Sequence, residues 1–373
     1  MQNYILLINE TEMKAKVAVL VPAHNEEYSI RNTIESLMRQ TYPAHQIIVI
    51  SDNSTDKTGQ ILEELVACYG HMGLTFFESV ENKYKKGGAL NQGFQKLDTE
   101  GDLVLTLDGD TILDANFLES GVEELASNSA LGAVCARFRL NPFTGSNIFQ
   151  HLLWTLQKLE YSWFDSSKIE YNGNVMVLSG AGALIRRPLL DKLAKERNGV
   201  VWTWSPADDY VLTLDLKIMG WKVGTIFNAY ASTDAMNTFK DFYKQRHTWY
   251  LWSWLEIKRR GLIAATRIDY MNFGLVFVAL LGQLYLIWLL AASAFLGASL
   301  QWHVFALLLI LLTHVNKLMR LRYVQNRRWY EILLALIFIP EELYRFFLNI
   351  LVVVCFWKSS IYDYGKYWVE ERR

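Results

Sequence analysis

Apolar and polar positions divide the chain into two regimes. Up to about residue 235 the apolar residues come in short runs, each stopped by polar turn formers. "KVAVLVPAHN" (16–25), "QIIVISDNSTD" (46–56), "LTFFESV" and "DLVLTLDGD" read as strands that are apolar throughout rather than alternating. Between them, "SIRNTIESLMRQ" (29–40), with Ser29 as a cap, "TGQILEELVACYG" and "GGALNQGFQKL" carry helical spacing, as does the later "DDYVLTLDLKIMGW". Alternating strands and helices, with strands lacking a polar face, predict an α/β fold. It is built on a mostly parallel sheet covered by helices on both faces.

Beyond residue 235 the pattern changes. "FYKQRHTWYLW" (242–252) opens an aromatic segment taken as 236–262, and no charge occurs from Tyr270 to Ala298. About 20 apolar residues suffice to cross a bilayer, so 270–298 reads as a span, 302–319 as a return span, and 263–357 as a membrane region. A third apolar run, 332–357, is interrupted by "IPEELYR", and Glu341, Glu342 and Arg345 argue for a broken helix there. A polar tail, 358–373, follows. Basic "KRRG" (258–261) and "KLMRLRYVQNRR" (317–328) flank the first two spans, while Ser299–Gln301 between them has no basic residue. The positive-inside rule places both basic segments, and with them a 1–235 domain, in the cytoplasm.

Composition adds exclusions. With 37 basic and 38 acidic residues in 373, no global field points to nucleic acid. Cys68, Cys135 and Cys355 are far apart and suit a reduced compartment. The opening residues lack the pattern of a cleaved export signal.

Chemistry gathers where the strands end. In parallel sheets, ligands sit beyond the carboxyl ends of the strands, and "PAHNEE", "SDNSTD" and "DGD" all fall there. Any one of them is also ordinary turn chemistry, but three at one sheet edge suggest a ligand crevice. Asp108 and Asp110 flank one glycine, an arrangement suited to a shared cation such as Mg²⁺ that also takes substrate phosphates. Lys85 and Lys86, followed by two glycines, suit a close anion or form a solvated basic loop. Asp208 and Asp209 open a helix and serve either dipole compensation or proton transfer. His247, without His or Cys neighbours, reads as a packing residue.

Together these motifs resemble the membrane-bound family-two glycosyltransferases of GT-A fold, relatives of cellulose, chitin, hyaluronan and poly-N-acetylglucosamine synthases. The resemblance covers about residues 15–260. It implies that "PAHNE" places Pro22, Ala23 and Glu26 near the nucleoside, that Asp52 reads a uracil, and that Lys86 of "KGGALN" lies near the phosphates. In the D-x-D motif it puts Asp108 by the nucleotide and makes Asp110 the ligand of Mg²⁺ or Mn²⁺. "SGAGALIRR", with Gly180, becomes an acceptor-side loop, and "ADDYVLT" supplies Asp208 and the catalytic base Asp209. The family's "Q-x-x-R-W" is matched by Gln245, Arg246, His247, Thr248 and Trp249, so threonine stands where the arginine belongs. Gln245, Arg246 and Trp249 remain candidates for acceptor or diphosphate contact. Tyr243, Trp249, Tyr250, Trp252 and Trp254 also suit an interfacial anchor.

The implied activity is inverting, metal-dependent transfer from a nucleotide sugar, with UDP-sugar favoured, to a glycan or lipid-linked acceptor among membrane lipids. The missing arginine favours single or short additions. A processive synthase, in which a homo-oligomer supplies further spans, and a polyprenyl-phosphate transferase are the alternatives. A catalytically silent scaffold is the reading from another class.

Overall fold

The computed structural model describes residues 15–82, 84–170, 175–296 and 318–361, with isolated helical positions at 308, 311 and 315. The elements run β1 (Val17–Ala23), α1 (Ile30–Met38), β2 (Gln46–Ser51), α2 (Thr58–Tyr69), β3 (Leu74–Glu78), α3 (Lys85–Gln95) and β4 (Leu103–Thr106). There follow β5 (Ile112–Leu113), α4 (Phe117–Ser127), β6 (Leu131–Leu140), α5 (Ile148–Glu170), β7 (Ala183–Arg186), α6 (Arg187–Glu196), α7 (Asp208–Ile218) and β8 (Lys222–Thr233). The chain ends in α8 (Phe239–Arg260), α9 (Arg267–Leu296), α10 (Trp329–Leu336) and α11 (Phe338–Ile361). It forms two compact units: residues 1–139 with 168–234, and residues 140–167 with 235–373. The second unit thus takes a piece, 140–167, from inside the span expected to be one N-terminal domain.

In the first unit, eight strands form one sheet in the order β3-β2-β1-β4-β7-β6-β8-β5. The four strands read from the apolar pattern are its parallel half: β1 pairs in parallel with β2 and β4, and β2 with β3. β7 is antiparallel to β4 and β6, and β5 to β8, so the sheet is mixed. Why the early strands lack a polar face is visible in the core. Val17, Val19 and Val21 of β1 pack with Ile30, Ile34, Leu62, Phe117 and Leu118, from α1, α2 and α4. Ala18 and Leu20 pack on the other face with Leu90, Leu190, Leu212 and Leu216, from α3, α6 and α7. Successive side chains point to opposite faces, so a strand covered on both sides must be apolar at every position.

The register sets the site. Ala23 lies opposite Ser51, and Ser51 opposite Glu78, so β1, β2 and β3 end at one level. Thr106 pairs with Leu20, bringing the Asp108-Gly109-Asp110 turn to the same edge. That turn is held from behind by β5, whose Ile112 and Leu113 pair with Ser232 and Ala231 of β8.

In the second unit, α8 begins at Thr238, whose hydroxyl accepts from the Asp241 amide at 3.1 Å, and ends at Gly261, which takes positive φ (71°). The aromatic segment largely packs inward: Phe242, Trp252 and Trp254 are buried, and only Tyr243 and Trp249 of the expected anchors are exposed. Arg267–Phe295 is long and apolar enough to cross a membrane, with mean hydropathy 2.3 and little of it buried. The expected second span, 302–319, lies largely outside the described residues. The run 332–357 falls on two helices that part at Ile337. The charges inside it have partners in the same unit: Glu342 accepts from Gln283 at 3.1 Å, and the Arg345 guanidinium lies 3.9 Å from the Trp163 ring centre.

Candidate active site

Loops at the sheet edge enclose a cleft of about 680 Å³ lined by residues from every polar cluster named above. Pro22 and Ala23 end β1 and Glu26 follows it, Asp52 follows β2, Lys86 lies in the first turn of α3, and Asp108 and Asp110 follow β4. The loops are cross-tied. Asn25 Oδ1 accepts from the Thr55 amide at 2.8 Å, and the Glu26 amide donates to Thr58 Oγ1 at 2.8 Å. Asn25, Asn53, Glu81 and Lys85, all in these loops, adopt positive φ. For Glu81 and Lys85 that conformation costs about 1 kcal/mol or more each, strain of the kind that collects at functional sites.

Asp52 is set for directional recognition. Ser79 Oγ and Asn82 Nδ2 donate to its Oδ1 at 2.6 and 2.7 Å, fixing the carboxylate plane and leaving Oδ2 to accept from a ligand. Its carbonyl meets His24 Nδ1 at 2.6 Å, so the β1 and β2 loops are joined again here.

Lys86 is the hub. Its ammonium lies 2.5 Å from Asp108. Burial opposes the charge, but Asp108, Asp208 and Asp209 outweigh burial and hold the lysine pKa above its ordinary value. Lys86 also lines a small void behind the cleft with Gly180, Asp208 and Asp209. A Cβ at Gly180 would meet the Lys86 ammonium, so a larger residue there would push the end of the lysine away from its present place.

Asp110 is the most perturbed carboxylate of the cleft. Burial first, then Asp108, Glu26 and Asp234, push it up to about 7, with Lys86 acting against them. Burial also raises Glu26, helped by Asp108, Asp56 and Asp234, although Ser29 Oγ donates to the Glu26 carboxylate at 2.5 Å. Ser29 occupies the cap position of α1 without capping it; its hydroxyl serves Glu26 instead. This hard-oxygen, charge-repelling set fits a divalent cation. Among the described residues no group of three or more metal-ligating side chains is preassembled, so a cation held by Asp110 would complete its sphere with phosphate oxygens and water.

Asp208 and Asp209 form the first turn of α7. Burial pushes Asp208 up to about 6, with Asp209 and Asp108 adding to the shift against Lys86. Asp209 is raised too, chiefly by burial, while Lys86 and the Tyr210 and Gly180 amides favour its charged form. The segment before them is pinned to α3: Asn91 donates to the Trp202 carbonyl at 2.7 Å and accepts from the Val201 and Trp202 amides at 2.8 and 3.0 Å. Gly87 makes this approach feasible, since a Cβ there would lie 2.5 Å from the Thr203 carbonyl oxygen. The "KGGALN" sequence therefore positions both a lysine and the segment that leads to the carboxylate pair.

Gln245, Arg246 and Trp249 belong to the second unit and form a cluster of their own. Arg246 is fully buried and pairs with both Glu160 oxygens, at 3.1 and 2.7 Å, and Gln245 accepts from the same guanidinium. Tyr344 donates to Glu160 at 2.5 Å, and the Trp249 ring lies over Arg246 at 4.3 Å. The expectation that Arg246 serves a diphosphate gives way to a packing assignment, because its donors face Glu160 and Gln245. Thr248, in place of the family's arginine, donates to the Lys244 carbonyl of its own helix at 2.8 Å.

Sequence reasoning missed Asn82, His24 and Asp234. Asn82 sits in the loop before Lys86 and carried no motif; Asp234 follows β8 and reaches the site only because β8 pairs with β5. A strand-terminal aspartate after "AYAST" was the available signal.

Residues 18–194 match the family model described as Glycosyl transferase family 2. The probable glycosyltransferase YdaM of Bacillus subtilis is 26% identical over 66% of this chain and 60% of its own length. A beta-monoglucosyldiacylglycerol synthase of Nostoc is 28% identical over 62% of this chain and 48% of its own, so the chain spans about half to three-fifths of these relatives. Among solved structures, the mannosyltransferase PcManGT of Pyrobaculum calidifontis, in complex with GDP-Man and Mn²⁺, superposes with TM-score 0.58. It is 17% identical and covers 92% of this chain and 86% of its own, a likeness of fold.

Proposed function

From the premise that residues 18–194 are a glycosyl transferase family 2 domain, we propose an inverting, metal-dependent glycosyltransferase. It moves a sugar from a UDP-sugar to a lipid or glycan acceptor at a membrane, in single or short additions. The carrying observation is Lys86, which lies 2.5 Å from Asp108 of the cleft and shares the adjoining void with Asp208 and Asp209. One cation is thereby next to both a donor cleft and a candidate base.

In this reading Asp52 Oδ2 accepts from the uracil imide, and Pro22 and Ala23 line the nucleoside. Lys86 faces the diphosphate. Asp110, with Asp108 and Glu26 nearby, would hold Mg²⁺ or Mn²⁺, which when bound supplies positive charge to the departing diphosphate. Asp209 takes the proton of the acceptor hydroxyl as its oxygen attacks the anomeric carbon, and the bond to the diphosphate breaks on the opposite face. Asp208 and Gly180 position that base.

The relative named beta-monoglucosyldiacylglycerol synthase supports a lipid acceptor. Thr248 and the sequestered Arg246 support short products, because neither presents the forked cation that retains a diphosphate between cycles. α9 crosses the bilayer and the catalytic unit lies in the cytoplasm, as the basic flanks argue. The test is mass spectrometry of products from the purified full chain in lipid nanodiscs, given a panel of nucleotide sugars and Mn²⁺. Sugar-bearing lipid or glycan products with a preference for UDP donors are expected. Absence of donor turnover across the panel would overturn the reading.

A further inference from the structure

The second unit exposes large apolar side chains outside α8 as well. Ile148, Phe149 and Trp329 are 77%, 80% and 72% exposed, on α5 and α10. The two helices are fastened together just beneath. His151 packs on Tyr330 with ring centres 5.1 Å apart, and Lys158 pairs with buried Glu331 at 2.6 Å and donates to the Asn326 carbonyl at 3.3 Å. Phe149 lies two residues from His151 on α5 and Trp329 is the neighbour of Tyr330 on α10, so both are carried by the two helices fastened here. The structure spends buried ion pairing on holding them there while leaving their own rings in the open.

The charges around this junction have one sign. Residues 140–151 contain no Asp, Glu, Lys or Arg, and 318–330 contain Arg320, Arg322, Arg327 and Arg328 without an acidic residue. Arg322, Arg327 and Arg328 are exposed, and Glu331, the nearest acid along the chain, is fully buried.

We propose that this surface inserts into the headgroup layer of a bilayer containing anionic lipid. Trp and Phe favour the boundary between headgroups and acyl chains, and arginines beside them meet lipid phosphates. Continuity of the chain supports the choice, since the same unit includes α9, long and apolar enough to span. A second copy of the chain fits worse: a two-fold contact sets a patch against itself, and would press acid-free arginine surfaces together.

The proposal rests on α9 spanning the bilayer, and hydrogen exchange of the full chain separates the two. Exchange is compared for the protein in detergent, in phosphatidylcholine nanodiscs and in nanodiscs containing phosphatidylglycerol. Segments 142–150 and 322–329 should exchange about tenfold more slowly in the anionic nanodiscs than in detergent, with an intermediate effect in phosphatidylcholine. Phe149→Glu combined with Trp329→Glu, both at exposed positions, should remove that protection while α9 stays protected. Unchanged exchange of the two segments with α9 protected would overturn the proposal. Protection that grows with protein concentration in detergent would instead assign the surface to a second copy.

Discussion

Two cations divide the labour of this molecule, Lys86 half-exposed and Arg246 fully buried, and the charge around them differs as well. In the first unit, Lys86 faces Asp108, Asp208 and Asp209, more negative charge than it can balance. In the second unit, Arg246 meets one carboxylate, Glu160, through two hydrogen bonds, with Gln245, Tyr344 and Trp249 completing the shell. The first cluster has surplus charge and opens on a cleft of about 680 Å³; the second is neutral and closed. A buried charge that is matched holds structure together. A half-exposed charge amid surplus carboxylates can still take a ligand.

The comparison is broken most severely at Asp110. Asp110→Asn should lower Mn²⁺-dependent donor turnover by roughly 10⁴-fold. Because Asp110 is raised to about 7 by burial and by neighbouring carboxylates, the variant's metal-free thermal midpoint should be unchanged or higher. A well-folded Asp110→Asn protein with full activity would end the metal assignment.

Asp209→Asn should cost roughly 10³-fold in transfer with donor affinity nearly intact, measured by calorimetry with UDP. Wild-type transfer should also show an acidic limb. Asp208 is pushed up to about 6 and Asp209 is raised beside it, so the pair gains a proton as pH falls through that range. The base is then lost, and the rate falls toward lower pH. In Asp209→Asn the residual rate should be flat there; a limb that persists unaltered would place the base elsewhere.

Arg246 sharpens the other side. Arg246→Gln strands Glu160 in a buried site and should destabilise the fold by about 3–5 kcal/mol, read from denaturant unfolding. Replacing both partners, Arg246→Met with Glu160→Leu, should recover most of that loss. Folded Arg246→Gln should keep its KM for donor, whereas a raised donor KM would return Arg246 to the diphosphate.

The smallest effect is expected at Asp52. Asp52→Asn should weaken UDP binding by about tenfold to a hundredfold, since an amide that turns its NH₂ to the ligand loses one directed hydrogen bond. Equal affinity for UDP in both proteins would remove the uracil assignment.

Much of this site was legible because two-faced strands announce themselves. Apart from Gln46, Ser51 and Thr106 at their ends, β1, β2 and β4 are apolar throughout, and those ends mark where ligands gather. Motif spacing then placed Asp52, Lys86, Asp108 and Asp110 at one cleft. What stayed hidden depends on partners distant in sequence. Asp234 arrives through β5–β8 pairing, and residues 140–167 join the second unit from within the first. Arg246 could not be read as buried, because Glu160 lies 86 positions earlier. The packing of the aromatic segment 242–254 stayed hidden for the same reason: helical periodicity does not reveal what covers a face, and here α11 packs on α8.

Asn91 has a consequence for anyone who redesigns this protein. Its amide clasps Val201 and Trp202, and Gly87 admits Thr203 against the same helix. The stretch that delivers Asp209 is therefore not an interchangeable cassette. Grafting a 201–209 loop from a relative, to borrow its acceptor preference, would need α3 to travel with it. The transferable unit is the loop together with the helix that grips it, although more than a hundred residues of chain separate the two.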